Sequence, residues 1–106
     1  MTDINVYKSY YGNTADNTFP FDDGKAIRIS TVKASNGKIV ASATVVTPTD
    51  SGFIYKVFDD FYYNPISVAG RATKKAIFDV QAAAIDMLDE IKAKARAFYA
   101  AKESYS

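Results

Sequence analysis

Two adjacent carboxylate pairs, Asp22-Asp23 and Asp59-Asp60, are the groups in this chain best suited to hold a cation or to work as acid and base. A magnesium site needs such oxygens to converge. Neighbouring residues on a strand point to opposite faces, so Asp59 and Asp60 do not converge unaided, and turn chemistry with solvation accounts for both pairs. Gly24-Lys25 lacks the remaining spacing of a phosphate-cradling loop. The chain has no cysteine and no histidine. That excludes disulfides, thiolate zinc sites, iron–sulfur clusters, histidine metal sites and Ser-His-Asp chemistry together. Serine, threonine and tyrosine are abundant, yet none has a visible activating base. The sequence predicts a protein without catalytic residues, metal or cofactor, whose work is binding.

The aromatic residues, eight Tyr and seven Phe, are more suggestive. Phe58, Phe61, Tyr62 and Tyr63 cluster near Lys56 and Arg71. Bases of a single strand stack on aromatic faces while lysine and arginine follow the phosphates. The competing reading is that Phe58 or Phe61 fills the core and the tyrosines edge it. Arg71, Lys74 and Lys75 form the densest basic group, which is either a phosphate contact or a solvated helix start.

Bulk charge does not announce the partner. Thirteen basic and twelve acidic groups give a net +1. Residues 1–66 carry net −1 and residues 67–106 net +2, so the basic excess lies toward the C-terminus. Hydrophobic residues make up 48% and charged residues 24% of the 106, an ordinary globular composition. A chain of this length is expected to form one domain, 1–106, with its own core. The N-terminus lacks the basic and apolar runs of a signal peptide, and no apolar run approaches the roughly 20 residues that span a bilayer. The expectation is a protein of the cytoplasm, of a cell or of an infected host.

The elements that must position these residues divide the chain into an N-terminal strand and loop (1–24), an antiparallel sheet (25–61) and a helix (73–102). Alternation of Ile4, Val6, Lys8 and Tyr10 with Asn5, Tyr7, Ser9 and Tyr11 permits a short first strand. Residues 12–24 are rich in Gly, Asn, Asp and Thr and read as loop. Two β-branched runs flank Asn36-Gly37, a pair that favours a two-residue type I′ hairpin. That turn pairs Arg28 with Val45 and Ile29 with Thr44. A turn at 48–52 leads into a further strand at 53–61, and residues 62–72 read as loop.

In that register one face holds Arg28, Ser30, Val32, Ile39, Ala41, Ala43 and Val45, with Phe53, Tyr55 and Val57; its small apolar centre suits a packed helix. The other holds Ile27, Ile29, Thr31, Lys33, Val40, Ser42, Thr44, Lys56 and Phe58, as a binding sheet would. A slip of one residue exchanges the two faces.

Thr73 is the expected N-cap for one long helix from 74 to 102. Ile77, Ala84, Ile91 and Phe98 recur every seven residues, with Val80, Met87, Leu88 and Ala95 beside them. The class is α+β: an antiparallel meander of three to four strands followed by one long amphipathic helix. Such a helix spans roughly 43 Å, and a nine-residue strand about 30 Å. An apolar overhang of Ile91, Ala95, Phe98 and Tyr99 then needs cover, and a second copy supplies it, making a homodimer. The alternative cover is the N-terminal segment, with Ile4, Val6, Tyr10, Phe19 and Phe21.

Phe21-x-x-Gly24-Lys25-x-x-Arg28-Ile29-Ser30, followed by Gly37-Lys38, resembles the first hairpin of the positive-cofactor-four family and the broader Whirly group. The likeness covers about twenty residues. It implies a curved antiparallel sheet, a dimerising helix and single-stranded-DNA binding, with Lys25, Arg28 and Lys38 against phosphates and sheet aromatics against bases.

The function expected is single-stranded nucleic-acid binding, through Lys25, Arg28, Lys33, Lys38, Lys56, Phe58, Tyr62, Tyr63, Arg71 and Lys74. The alternative is a protein-binding inhibitor or adaptor, such as a phage-encoded protein acting on a host defence complex, working through surface tyrosines.

Overall fold

A computed structural model describes residues 3–48 and 55–103, with side chains for 3–47 and 61–103. The side chains of Lys56 and Phe58 lie outside the described residues, as do those of Phe53, Tyr55, Val57, Asp59 and Asp60. Five antiparallel strands run in sequence order: β1 (Tyr7–Ser9), β2 (Gly12–Pro20), β3 (Ala26–Lys33), β4 (Lys38–Pro48) and β5 (Tyr55–Ala69). Helices α1 (Lys74–Ile85) and α2 (Leu88–Glu103) pack on one face of this sheet. The α+β class stands, with five strands and two helices in place of three to four strands and one helix. Among the described residues no helix is long and apolar enough to cross a membrane.

The central hairpin differs from its sequence-based register by one residue, and the turn explains it. Ala34 N donates to Lys38 O (2.8 Å) and Gly37 N to Ala34 O (3.0 Å), closing a three-residue loop, Ser35-Asn36-Gly37. Only Gly37 takes a positive φ there (82°), as in a type I turn followed by a glycine bulge. Arg28 therefore pairs with Thr44 and Ile29 with Ala43. Every side chain on β3 changes face relative to β4. Ile27, Ile29 and Thr31 join Ile39, Ala41, Ala43 and Val45 under the helices, all at most 1% exposed. Arg28, Ser30 and Ser42 lie on the open face.

The segment 12–20, expected as loop, is strand β2. Both of its asparagines donate side-chain hydrogen bonds to distant segments. Asn13 Nδ2 donates to Ala72 O (2.8 Å) and Asn17 Nδ2 to Asp3 O (2.8 Å). Asn17 Oδ1 accepts from Gln81 Nε2 (2.9 Å), and Ala15 between the two asparagines is fully buried. Residues 62–69, also expected as loop, extend β5. Asn64 and Pro65 stand opposite the single Ser42, between the pairs Ala41↔Ile66 and Ala43↔Tyr63. A bulge on an edge strand accepts the proline, whose missing N–H faces no partner.

The long helix is divided by a tight turn, without Pro or Gly. Met87 N donates to Ala84 O (3.0 Å), three residues back, before Ile91 N bonds Met87 O (2.9 Å). A seven-residue stripe drifts about 20° per heptad on a straight helix. One tighter step offsets that drift and keeps Ile77, Ala84, Ile91 and Ala95 at zero exposure.

The overhang expected to make a dimer does not form. Ile91 and Ala95 are buried in the chain's own core. Phe98 packs on Phe61 (centroids 5.6 Å) and edge-on to Tyr99 (5.2 Å). Ile4, Val6, Phe19 and Phe21 pack against the core, Phe21 beside Arg96 of α2, whereas Tyr10 is 96% exposed.

Asp22, in a 3-10 turn (Asp22–Gly24), clasps α2 through two bonds from Arg96, at 2.9 and 3.0 Å. Arg96 also lies 5.4 Å over the Phe21 ring. Hydrogen bonding by Arg96 holds the Asp22 carboxyl below its ordinary range. A depressed carboxylate contributes above its unfolded pKa and loses that contribution as pH falls through the folded value. Protection factors of the amides in the second half of α2, taken against the intrinsic rate at each pH, are expected to fall as pH drops below about 4. Asp22→Asn should lower them already at neutral pH, without the acid step. Acid-independent protection in the wild type would contradict the clasp.

Candidate functional site

The predicted binding residues do not form one surface. Lys25 sits at the Asp22 end, 5.1 Å over the Tyr99 ring. Tyr63 is half-buried on the helix side, with Lys94 Nζ 5.0 Å from its ring centre. Phe61 is a core residue, 5% exposed, so the core reading holds for that aromatic.

Arg28 and Tyr62 occupy the open sheet face. Arg28 Nη2 lies 3.5 Å from Asp16 Oδ2, and Asp16 also accepts a hydrogen bond from the Tyr7 hydroxyl. That hydrogen bond, then burial, raises the Tyr7 pKa. Tyr62 donates to Ser42 Oγ (2.9 Å), while Ser42 donates to Asn64 Oδ1 (2.9 Å). Around Arg28, Ser42 and Tyr62 this face is polar, internally bonded and locally balanced in charge, while Ala26, Val40 and Val46 of the same face are buried.

The opposite end of the sheet differs. Lys33 closes β3 opposite Ile39 of β4, and Lys38 opens β4 opposite Ala69 of β5. Gly70, at φ 137°, bends the chain from β5 toward α1 in a conformation that side-chain-bearing residues rarely adopt. Arg71 follows at that bend, and Lys74 opens α1, which Thr73 caps by accepting from Ala76 N (3.1 Å). Asn13, bonded to Ala72 O, ties β2 to the same bend and brings Lys8 of β1, its cross-strand partner, alongside.

The result is an open groove of about 450 Å³ lined by Lys8, Tyr11, Asn13, Lys33, Arg71 and Thr73, with backbone from Gly12 and Ala72. Three cationic side chains from three separate segments line it, and no carboxylate does. Among the described residues none of the three makes an ion pair, whereas Arg28, Lys75 and Arg96 do.

Beside the groove the β1–β2 tip displays two rings. Tyr10 is 96% and Tyr11 72% exposed, with centroids 5.2 Å apart and planes at 84°. The tip is fixed from below: the Ser9 and Thr14 hydroxyls lie 2.7 Å apart, and Tyr11 N donates to Ser9 Oγ (3.1 Å). Two exposed aromatic faces on a pinned tip can stack on a flat ligand without ordering a loop first.

Lys8, Tyr10 and Tyr11 are not among the residues that the sequence singles out for binding. Their alternation marked a strand, but their approach to Lys33 and Arg71 depends on β2 being a strand at all. Lys33, Lys38, Arg71 and Lys74 were anticipated and do share one end of the molecule. No family model, curated protein or solved structure matches the chain.

Proposed function

We propose that the protein binds single-stranded nucleic acid at this end of the sheet. Phosphates lie on Lys8, Lys33, Lys38, Arg71 and Lys74, and bases stack on Tyr10 and Tyr11. The observation that carries the reading is the groove: three cations without carboxylate partners, next to two exposed rings. Phosphate contacts supply affinity without reading sequence, and stacking adds about 1–3 kcal/mol per base. A net charge of +1 is no obstacle, because phosphates respond to the local groove rather than to the distant Asp22–Arg96 pair. The resemblance of the first hairpin to a single-stranded-DNA-binding family points the same way, although its Lys25 and Arg28 lie away from the groove.

The test is an amide chemical-shift titration with an oligothymidylate. Shifts should gather at residues 8–13, 33, 38 and 70–74 and leave the Asp22–Arg96 end unmoved. Replacing Tyr10 and Tyr11 together by alanine should cut affinity on the order of tenfold or more while retaining salt sensitivity. Undiminished affinity would remove the stacking role.

The second reading, a protein-binding inhibitor or adaptor, draws on Tyr62, 62% exposed on a charge-balanced face. It expects a partner lost on Tyr62→Ala and little changed by salt.

A further inference from the structure

We infer that the groove between the β1–β2 tip and the start of α1 is a receptor for a terminal phosphomonoester, so that the protein prefers strand ends bearing a phosphate. The inference rests on the strand-binding reading for its biological ligand, but its chemistry stands on the groove alone.

Lys8, Lys33 and Arg71 come from β1, β3 and the β5–α1 link and border one hollow of about 450 Å³. They are not strung along a track. That volume is at the lower end of the range for small-ligand sites. It suits one phosphorylated end better than the successive phosphates of a running strand. An internal phosphodiester brings one negative charge and two free oxygens to such a site. A phosphomonoester brings three oxygens and, above its second pKa of about 6, a charge approaching −2. Three cations with no carboxylate among the lining residues match the second ligand. Arg71 contributes a planar fork that can hold two oxygens at once, while lysines act as point charges.

Tyr11 lines the same groove and is 72% exposed, so the sugar and base attached to the phosphate meet an aromatic edge immediately. Lys38 and Lys74, just outside the lining, are left for the next phosphate along the strand. The basic end thus divides into a pocket for the terminus and a short rim for the chain that follows.

The test compares internally labelled oligothymidylates, about 15 nucleotides long, with a 5′-phosphate, a 3′-phosphate or hydroxyls at both ends. Thymidine monophosphate serves as a separate probe, followed by amide shifts. One phosphorylated strand should bind on the order of tenfold more tightly than the hydroxyl strand near pH 7.5. That ratio should shrink toward unity near pH 5.5, as the monoester takes up its second proton. Arg71→Ala and Lys33→Ala should abolish the ratio while leaving residual strand binding, and circular dichroism should show the variants folded.

Equal affinity for all three strands overturns the inference and leaves strand binding standing. Shifts at Lys33 and Arg71 with the monophosphate, but no affinity for any strand, support the phosphate pocket and overturn the strand reading. No response to any probe overturns both.

Discussion

Replacing Gln81 with leucine is expected to destabilise the fold by about 3 kcal/mol, although the two side chains are similar in size and helix propensity. Gln81 is completely buried on α1. Its Oε1 accepts from Thr31 Oγ1 at 2.7 Å, and its Nε2 donates to Ile29 O and Asn17 Oδ1, each at 2.9 Å. Leucine leaves the Thr31 hydroxyl, itself at zero exposure, without an acceptor, and removes a donor from Ile29 O. Each buried polar group so stranded costs about 1–3 kcal/mol. For a domain near this size the loss corresponds to a fall in Tm of roughly 15 °C. Thr31→Val added to Gln81→Leu should restore part of the loss, because removing both partners leaves fewer unsatisfied groups. A double variant no more stable than the single one in thermal unfolding would show that the network is not what Gln81 contributes.

Removing the groove's charge should have the largest effect on binding. With Lys8, Lys33 and Arg71 all replaced by alanine, affinity for a single strand is expected to fall on the order of a hundredfold at low salt. The slope of log K against log salt should flatten by up to about 2, the limit in which the three side chains together displace three counterions from the strand. Lys25→Ala serves as the control, since Lys25 lies over Tyr99 at the other end of the sheet. The triple variant should retain its Tm, because none of the three residues makes an ion pair among the described residues. An unchanged slope would place the phosphate contacts elsewhere.

Much of the fold was legible in residue periodicity, and the site less so. The seven-residue spacing of Ile77, Ala84 and Ile91 marked the buried helix stripe. Asn36-Gly37 marked the central hairpin. That dipeptide announces a turn without fixing whether two or three residues close it, and the difference of one residue decides which face Arg28 occupies. Asn13 and Asn17 made β2 resemble a loop, because their partners, Ala72 O and Gln81, lie about 60 residues away in sequence. Local composition carries no trace of such distant bonds. Gln81 itself, four residues after Ile77 on the apolar stripe, was a readable sign of a buried polar contact. Lys33, Lys38, Arg71 and Lys74 were recognisable as cations; their meeting with Lys8 and the two tip tyrosines required the strand order.

The most direct test of nucleic-acid binding is fluorescence anisotropy of a labelled single-stranded oligonucleotide with the wild-type protein at roughly 50 and 200 mM salt. Micromolar or tighter binding is expected at the lower salt, weakening at least tenfold at the higher. No binding at the lower salt, or binding indifferent to salt, would contradict the proposed function.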